Sequence, residues 1–226
     1  MSAIAQALGE ARWFDLTQPL YSGCPGWYGY PPPVVETTWT IEAQGFNAEH
    51  LDLMSHTGTH LDVPYHFVAG GSKLDEIPVE QFQGRAVVLD LRHVRAGHAI
   101  GPEDLRPAAD RIRAGDIVVL CTGWGDKRSL DPIFVQHWPY LSGEGAQWLV
   151  DRQVRAVAID TLSVGGSTPE TGRPPHVVLL GAGCWALEDI RVPPALVEAG
   201  RCQLFAFPLL IRGAGGAPVR VVAALD

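Results

Sequence analysis

SHTGTHLDVPYHF, residues 55–67, sets three histidines and an aspartate within thirteen positions. Burying an apolar core does not call for such a run. Imidazole and carboxylate together are ligands of zinc, manganese and iron. His56, His60, Asp62 and His66 share parity, so an extended strand would place all four on one face. A straight strand is too long for one site, however. Four residues of it span roughly 13 Å, whereas two donor atoms on one metal lie about 3–4 Å apart. The chain must therefore turn between His56 and His60, where Gly58 permits it, and Pro64 ends any regular structure beyond. H-x-x-x-H alone is a weak signal. H-x-x-x-H-x-D followed by a further histidine points to a divalent metal.

Outward from this stretch, VVETTWTI (34–41) and HLDLM (50–54) alternate as half-buried strands do. RAVVLDL (85–91), DIVVLCT (116–122), VRAVAID (154–160) and CQLFAFPLLI (202–211) are more continuously apolar, as strands covered on both faces are. Helices are expected between them. PEDLRPAADRI opens at Pro102, SGEGAQWLVDRQ (142–153) has Ser142 as N-cap, and PPHVVLLGAG (174–183) and PPALVEAG (193–200) carry prolines at the head and glycine at the tail. Strands alternating with helices in the second half argue for an α/β fold. No linker is visible, so residues 1–226 read as one domain.

The net charge of −8, with no basic stripe, disfavours nucleic acid and anionic membranes as partners. No apolar stretch is long enough to span a bilayer, and the opening MSAIAQALGEARWFDL does not read as a signal peptide. Cys24, Cys121, Cys184 and Cys202 are scattered, as in a reduced compartment, and a cytoplasmic location is expected. Glycine and proline concentrate in 20–33, where YSGCPGWYGYPPP offers Trp27, Tyr28 and Tyr30 either as the floor of a substrate pocket or as surface packing. Two further residues stand out: His176, opening an apolar helix, and Glu188, an acid in the apolar run CWALEDI that is costly unless paired or bound to a metal, though by residue chemistry alone a solvated flanking charge is the commoner outcome.

HTGTHLDVPYHF resembles the H-x-G-T-H-x-D-x-P-x-H-F signature of the cyclase-like metal hydrolases, which include bacterial kynurenine formamidase and isatin hydrolase. WFDLTQPL is similar to the family's opening strand, VAIDTLSV to its I-D-x-x-S segment, PPHVVLLGAGCWALEDI to its His…Glu element with a twelve-residue gap, and FAFPLLIRGAGGAPVRVVA to its closing strand. The chain departs from the family at CPGWYGYPPP, at Glu188-Asp189-Ile190 and at VGGSTPETG. The resemblance implies a swivelling β/β/α fold, a mixed sheet with flanking helices, in a homodimer or higher homo-oligomer. It implies that His56, His60 and Asp62 bind one divalent metal, that Asp62, His176 and Glu188 hold a second, and that His66 is the general acid/base.

A divalent cation, Zn2+ or Mn2+, one or two per chain, lowers the pKa of bound water and polarises a carbonyl. The expected function is therefore hydrolysis of a small aromatic amide by metal-bound hydroxide, with N-formylkynurenine as leading substrate. The alternatives are an isatin-type cyclic amide or lactone hydrolase, a metal-dependent cyclase or dehydratase, and a non-enzymatic metal-stabilised binding protein, which would leave His66 without a task.

Overall fold

The computed structural model describes residue 6 and residues 9–225. The opening MSAIAQALGEARWFDL, where no signal peptide is expected, lies partly outside these residues. In chain order the strands are β1 (Arg12–Asp15), β2 (Val34–Trp39), β3 (Ala48–Asp52), β4 (His60–Asp62), β5 (Gln83–Asp90), β6 (Ala99–Ile100), β7 (Ile117–Cys121), β8 (Tyr140–Leu141), β9 (Ala156–Ile159), β10 (Trp185–Glu188), β11 (Arg201–Pro208) and β12 (Gly216–Leu225). The main sheet runs β1-β12-β11-β5-β7-β9-β10-β4, and a further pairing of β12 with β4 closes it into a barrel. β5, β7, β9 and β10 are parallel neighbours, whereas β4, β11 and β12 join antiparallel. This is a mixed α/β architecture with flanking helices, as the resemblance implies.

Strand parity divides the apolar residues between two cores. Ala86 and Val88 of β5, Ile117 and Val119 of β7, and Ala156 and Ala158 of β9 point into the barrel, with Leu61, Leu187, Leu204 and Val221. Alanine is frequent there because facing strands leave little room. The alternate residues Val87, Leu89, Val118, Leu120, Val157 and Ile159 point outward and are covered by Leu105, Ala146, Leu149 and Leu179 from the helices. A strand buried on both faces loses its polar alternation, which is why these runs read as continuously apolar.

Several element boundaries differ from the sequence expectation. The 102–112 helix is split into Pro102–Leu105 and a tighter 3-10 stretch, Arg106–Arg111, because Pro107 has no N–H to continue the ladder. The helix expected at 174–183 spans Pro169–Gly181, with Pro174 and Pro175 inside it. The Thr171 carbonyl, which Pro175 cannot serve, accepts the Gly166 N–H instead at 3.1 Å. The strand expected at 202–211 ends at Pro208, and β2 stops at Trp39 because Thr40 caps a short helix, Ile41–Gln44. Ser142 caps Gly143–Val150, and Gly200, at φ 67°, ends Pro194–Ala199. Among the described residues no helix is long and apolar enough to cross a membrane.

Candidate metal centre

The turn required between His56 and His60 is made at Gly58, with φ 66°. β4 then carries His60 and Asp62 on its outer face, while Leu61 between them enters the barrel core. β10 pairs with β4 so that Glu188 stands opposite His60 and Ala186 opposite Asp62. The helix Pro169–Gly181 lies over the same face and brings His176 down onto both carboxylates. A 3-10 turn, Pro64–His66, returns His66 to the cluster.

The distances are short. His56 Nδ1 is 2.6 Å from Asp62 Oδ1. His60 Nε2 lies 3.4 Å from Asp62 Oδ1 and 3.2 Å from Glu188 Oε2. His176 Nε2 lies 3.1 Å from Glu188 Oε1 and 3.6 Å from Asp62 Oδ2, and His66 Nε2 is 3.8 Å from that same Asp62 oxygen. The donor atoms form two groups, His56–Asp62–His66 and His60–Asp62–Glu188, that share Asp62. His60 thus sits with Glu188 rather than with His56, and Asp62 is common to both groups. The other histidines stay outside these groups; His98, for instance, pairs with Asp104 at 3.0 Å.

The surroundings orient these atoms. His60 Nδ1 bonds the Gly58 carbonyl at 2.8 Å and His176 Nδ1 the Gly172 carbonyl at 2.7 Å. Each bond needs the proton on Nδ1, which leaves Nε2 turned toward the carboxylates, the nitrogen that would face a cation once its proton is displaced. Glu188 Oε1 accepts from Ser163 Oγ and the Val164 N–H. His66 stacks on His56 with ring centroids 3.7 Å apart, and Phe67 stacks on His176 at 4.4 Å. Asp62 is fully buried, yet its Oδ2 has no hydrogen-bond partner, a costly state for a carboxylate oxygen that a cation would relieve.

Charge in the cluster is tightly balanced. Burial pushes His60 and His176 down, but the two carboxylates raise them to about 9 and about 10. Burial also pushes Asp62 up, but the neighbouring histidines, His56 foremost, hold it well below the usual carboxylate range. Burial and Asp62 push Glu188 up, and hydrogen bonds from His176 and His60 hold it down to about 2. The carboxylates thus draw protons onto two histidines, and a dication can take the place of those protons. His66 differs: burial, aided by His56 and His176, outweighs Asp62 and holds it down to about 4, neutral near pH 7.

Close packing explains residues that local sequence did not mark. A Cβ on Gly216, opposite Asp62 in β12, would collide with the Leu61 carbonyl and stand 2.7 Å from His56 Cε1. Gly216→Ala is therefore expected to destabilise the fold by about 1–3 kcal/mol, the usual cost of overpacking, and to weaken metal retention. Denaturant unfolding and elemental analysis check both; wild-type values in each would show that the strand yields freely. Arg128, equally unmarked, is buried against Asp189, with Nη2 to Oδ2 at 2.8 Å, and donates to the Pro19 and Pro25 carbonyls. It ties the aromatic loop to the residue following Glu188.

A cavity of about 270 Å³ opens onto the cluster and is lined by His56, His60, His66, His176 and Glu188. Trp27 and Tyr30 also line it, and the Trp27 indole donates to the Ser167 carbonyl at 3.3 Å. Tyr28 does not line it: the residue is 59% exposed and packs against Trp27 from outside, because adjacent side chains in the loop diverge.

Known proteins resemble this chain in sequence and in fold. The family model described as "Putative cyclase" matches residues 14–165. Kynurenine formamidase of Bacillus cereus is 29% identical over 213 residues, covering 94% of this chain and 97% of that protein. Isatin hydrolase A of Ralstonia solanacearum superposes with a TM-score of 0.84 at 25% identity, covering 99% of this chain and 95% of its own. Isatin hydrolase A of Labrenzia aggregata superposes at 0.87 with 24% identity and 99% coverage of each chain, a likeness of fold.

Proposed function

Because the chain belongs to the cyclase family, we propose that it is a divalent-metal-dependent hydrolase that removes the formyl group from an aryl formamide, N-formylkynurenine first, as in tryptophan catabolism. The observation that carries this reading is the buried, unpartnered Asp62 Oδ2, with His66 and His176 beside it, under a cavity whose lining includes four histidines, Glu188, Trp27 and Tyr30. His56, His60, Asp62, His176 and Glu188 would hold one or two cations, Zn2+ or Mn2+, for which nitrogen and carboxylate donors are suited. A cation held there acidifies a bound water and polarises the substrate carbonyl.

The chain's own residues do the rest. Trp27 and Tyr30 receive the aromatic ring, and the cavity excludes bulk water. His66, neutral at Nε2, accepts the proton lost by water and returns it to the departing aniline nitrogen, so that formate and a free amine leave. Gly58 and Gly172 hold the imidazoles of His60 and His176 in the tautomer that presents Nε2. One domain over residues 1–226 is supported by the pairing of β1 with β12 from opposite ends of the chain. A homodimer or higher homo-oligomer is supported by the exposed Trp39, Phe46 and Leu51 of the β2–β3 hairpin region, and a cytoplasmic location by four buried cysteines without disulfides.

Assay of the purified protein against N-formylkynurenine, isatin and an aryl lactone, before and after chelation and after reloading with Zn2+ or Mn2+, tests this reading. Formate release from N-formylkynurenine that is lost on chelation and restored by metal is the expected result. Ring opening of isatin or the lactone alone would assign the chain to cyclic substrates, and metal binding without turnover of any of them would leave a binding protein.

A further inference from the structure

The cavity wall contains one residue that the chemistry above does not use. Arg173 lines the cavity together with Ser167, Thr168 and Gly172, and it is the only arginine or lysine in that lining. It is exposed, so it stands at the mouth rather than at the floor. Among the described residues its guanidinium makes no hydrogen bond or ion pair. The arginines at 85, 92, 128, 191 and 220 all pair with an aspartate. Arg173 precedes His176 by three residues in the helix Pro169–Gly181, so the two share a face and are offset by ~4.5 Å along the axis. The N-terminal end of this thirteen-residue helix opens onto the same mouth and adds positive potential there.

A chain of net charge −8 would repel an anionic substrate. A planar, permanently charged guanidinium at the entrance reverses that locally and matches a carboxylate in a two-pronged contact. We infer that Arg173 forms a second subsite, one that binds a carboxylate of the substrate remote from the scissile amide. The substrate class narrows accordingly to aryl formamides carrying an acidic side chain, with the ring against Trp27 and Tyr30, the formyl group at the histidine–carboxylate floor and the carboxylate at the mouth. This rests on the hydrolase reading for the position of the formyl group; the anion subsite itself is a matter of binding.

Titration calorimetry of the metal-loaded protein with kynurenine and with its neutral carboxamide tests the subsite without turnover. A charge-assisted contact at an exposed position should give the acid a preference of about tenfold over the carboxamide. Arg173→Gln should reduce that preference to about twofold or less, and Arg173→Lys should keep part of it, since the charge survives without the fork. Wild-type protein that binds acid and carboxamide alike, or Arg173→Gln protein that keeps the preference, would overturn the inference. Should Arg173→Gln fold poorly, the wild type suffices. The acid's Kd should rise with ionic strength while the carboxamide's holds, because the contact is exposed to screening, and a salt-independent acid Kd counts against the subsite. The ratio of kcat/KM for the N-formyl acid and the N-formyl carboxamide separates the two levels of argument. A binding preference without formyl cleavage removes the formamidase reading and leaves the subsite, whereas equal cleavage of both, undisturbed by Arg173→Gln, does the reverse.

Discussion

Asp62→Asn is expected to purify with little or no bound cation and to lose kcat/KM by about 10³-fold or more, the loss of several kcal/mol of Lewis-acid stabilisation. The substitution keeps the volume of the side chain, so packing around Leu61 and Ala186 is preserved. What it removes is the charge on which both donor groups converge: Asp62 Oδ1 at 2.6 Å from His56 and 3.4 Å from His60, and Oδ2 facing His66 and His176. His56→Ala and His60→Ala should behave alike, each deleting a donor. His176→Ala or Glu188→Gln should remove one equivalent from a protein that holds two. Elemental analysis of the purified variants, beside formate release, is the measurement. Wild-type cation content in Asp62→Asn would refute its proposed role as shared ligand.

His66→Ala should separate proton transfer from metal holding. His66 lies farthest of the four histidines from Asp62, at 3.8 Å, and is the one that burial keeps neutral. A proposed proton shuttle contributes about 10²–10⁴-fold to rate without retaining the cation. The alanine variant should therefore keep its metal and fold and lose kcat by about that factor. His66→Asn should be nearly as poor, since an amide can hydrogen-bond but cannot carry the proton. The donor atoms of His66, His56 and Asp62 are close enough to ligate one ion, which makes this a sharp test. A metal-free His66→Ala protein would make His66 a ligand, and a wild-type rate would make it a bystander.

The sequence alone determined the features that act over a few residues. His56, His60 and Asp62 lie within seven positions, so ligand chemistry, strand parity and the bend that Gly58 permits were enough to mark that stretch, although His60 groups with Glu188 rather than with His56. The buried strands β5, β7 and β9 and the caps at Ser142 and Gly200 were legible for the same reason: apolar runs and capping chemistry are local properties. His176 and Glu188 were weak by residue chemistry and gained force from the twelve-residue gap of a resembling family.

Tertiary structure decided the rest. Hydrophobic period reports that a strand is buried, but not which strand lies beside it. The register placing Glu188 opposite His60, the closure of β12 on β4 and the need for glycine at 216 therefore had no local signature. Pro174 and Pro175 marked a helix start by their own geometry. The helix nevertheless begins at Pro169, because Gly166, brought alongside by the preceding loop, satisfies a carbonyl that a proline leaves open. Trp27 and Tyr30 could not be told from Tyr28 by type; only the path of the loop puts two of them at the cavity and one outside it. Arg173 carried no signal, since an exposed helical arginine is ordinary until a fold places it at the mouth of a cavity.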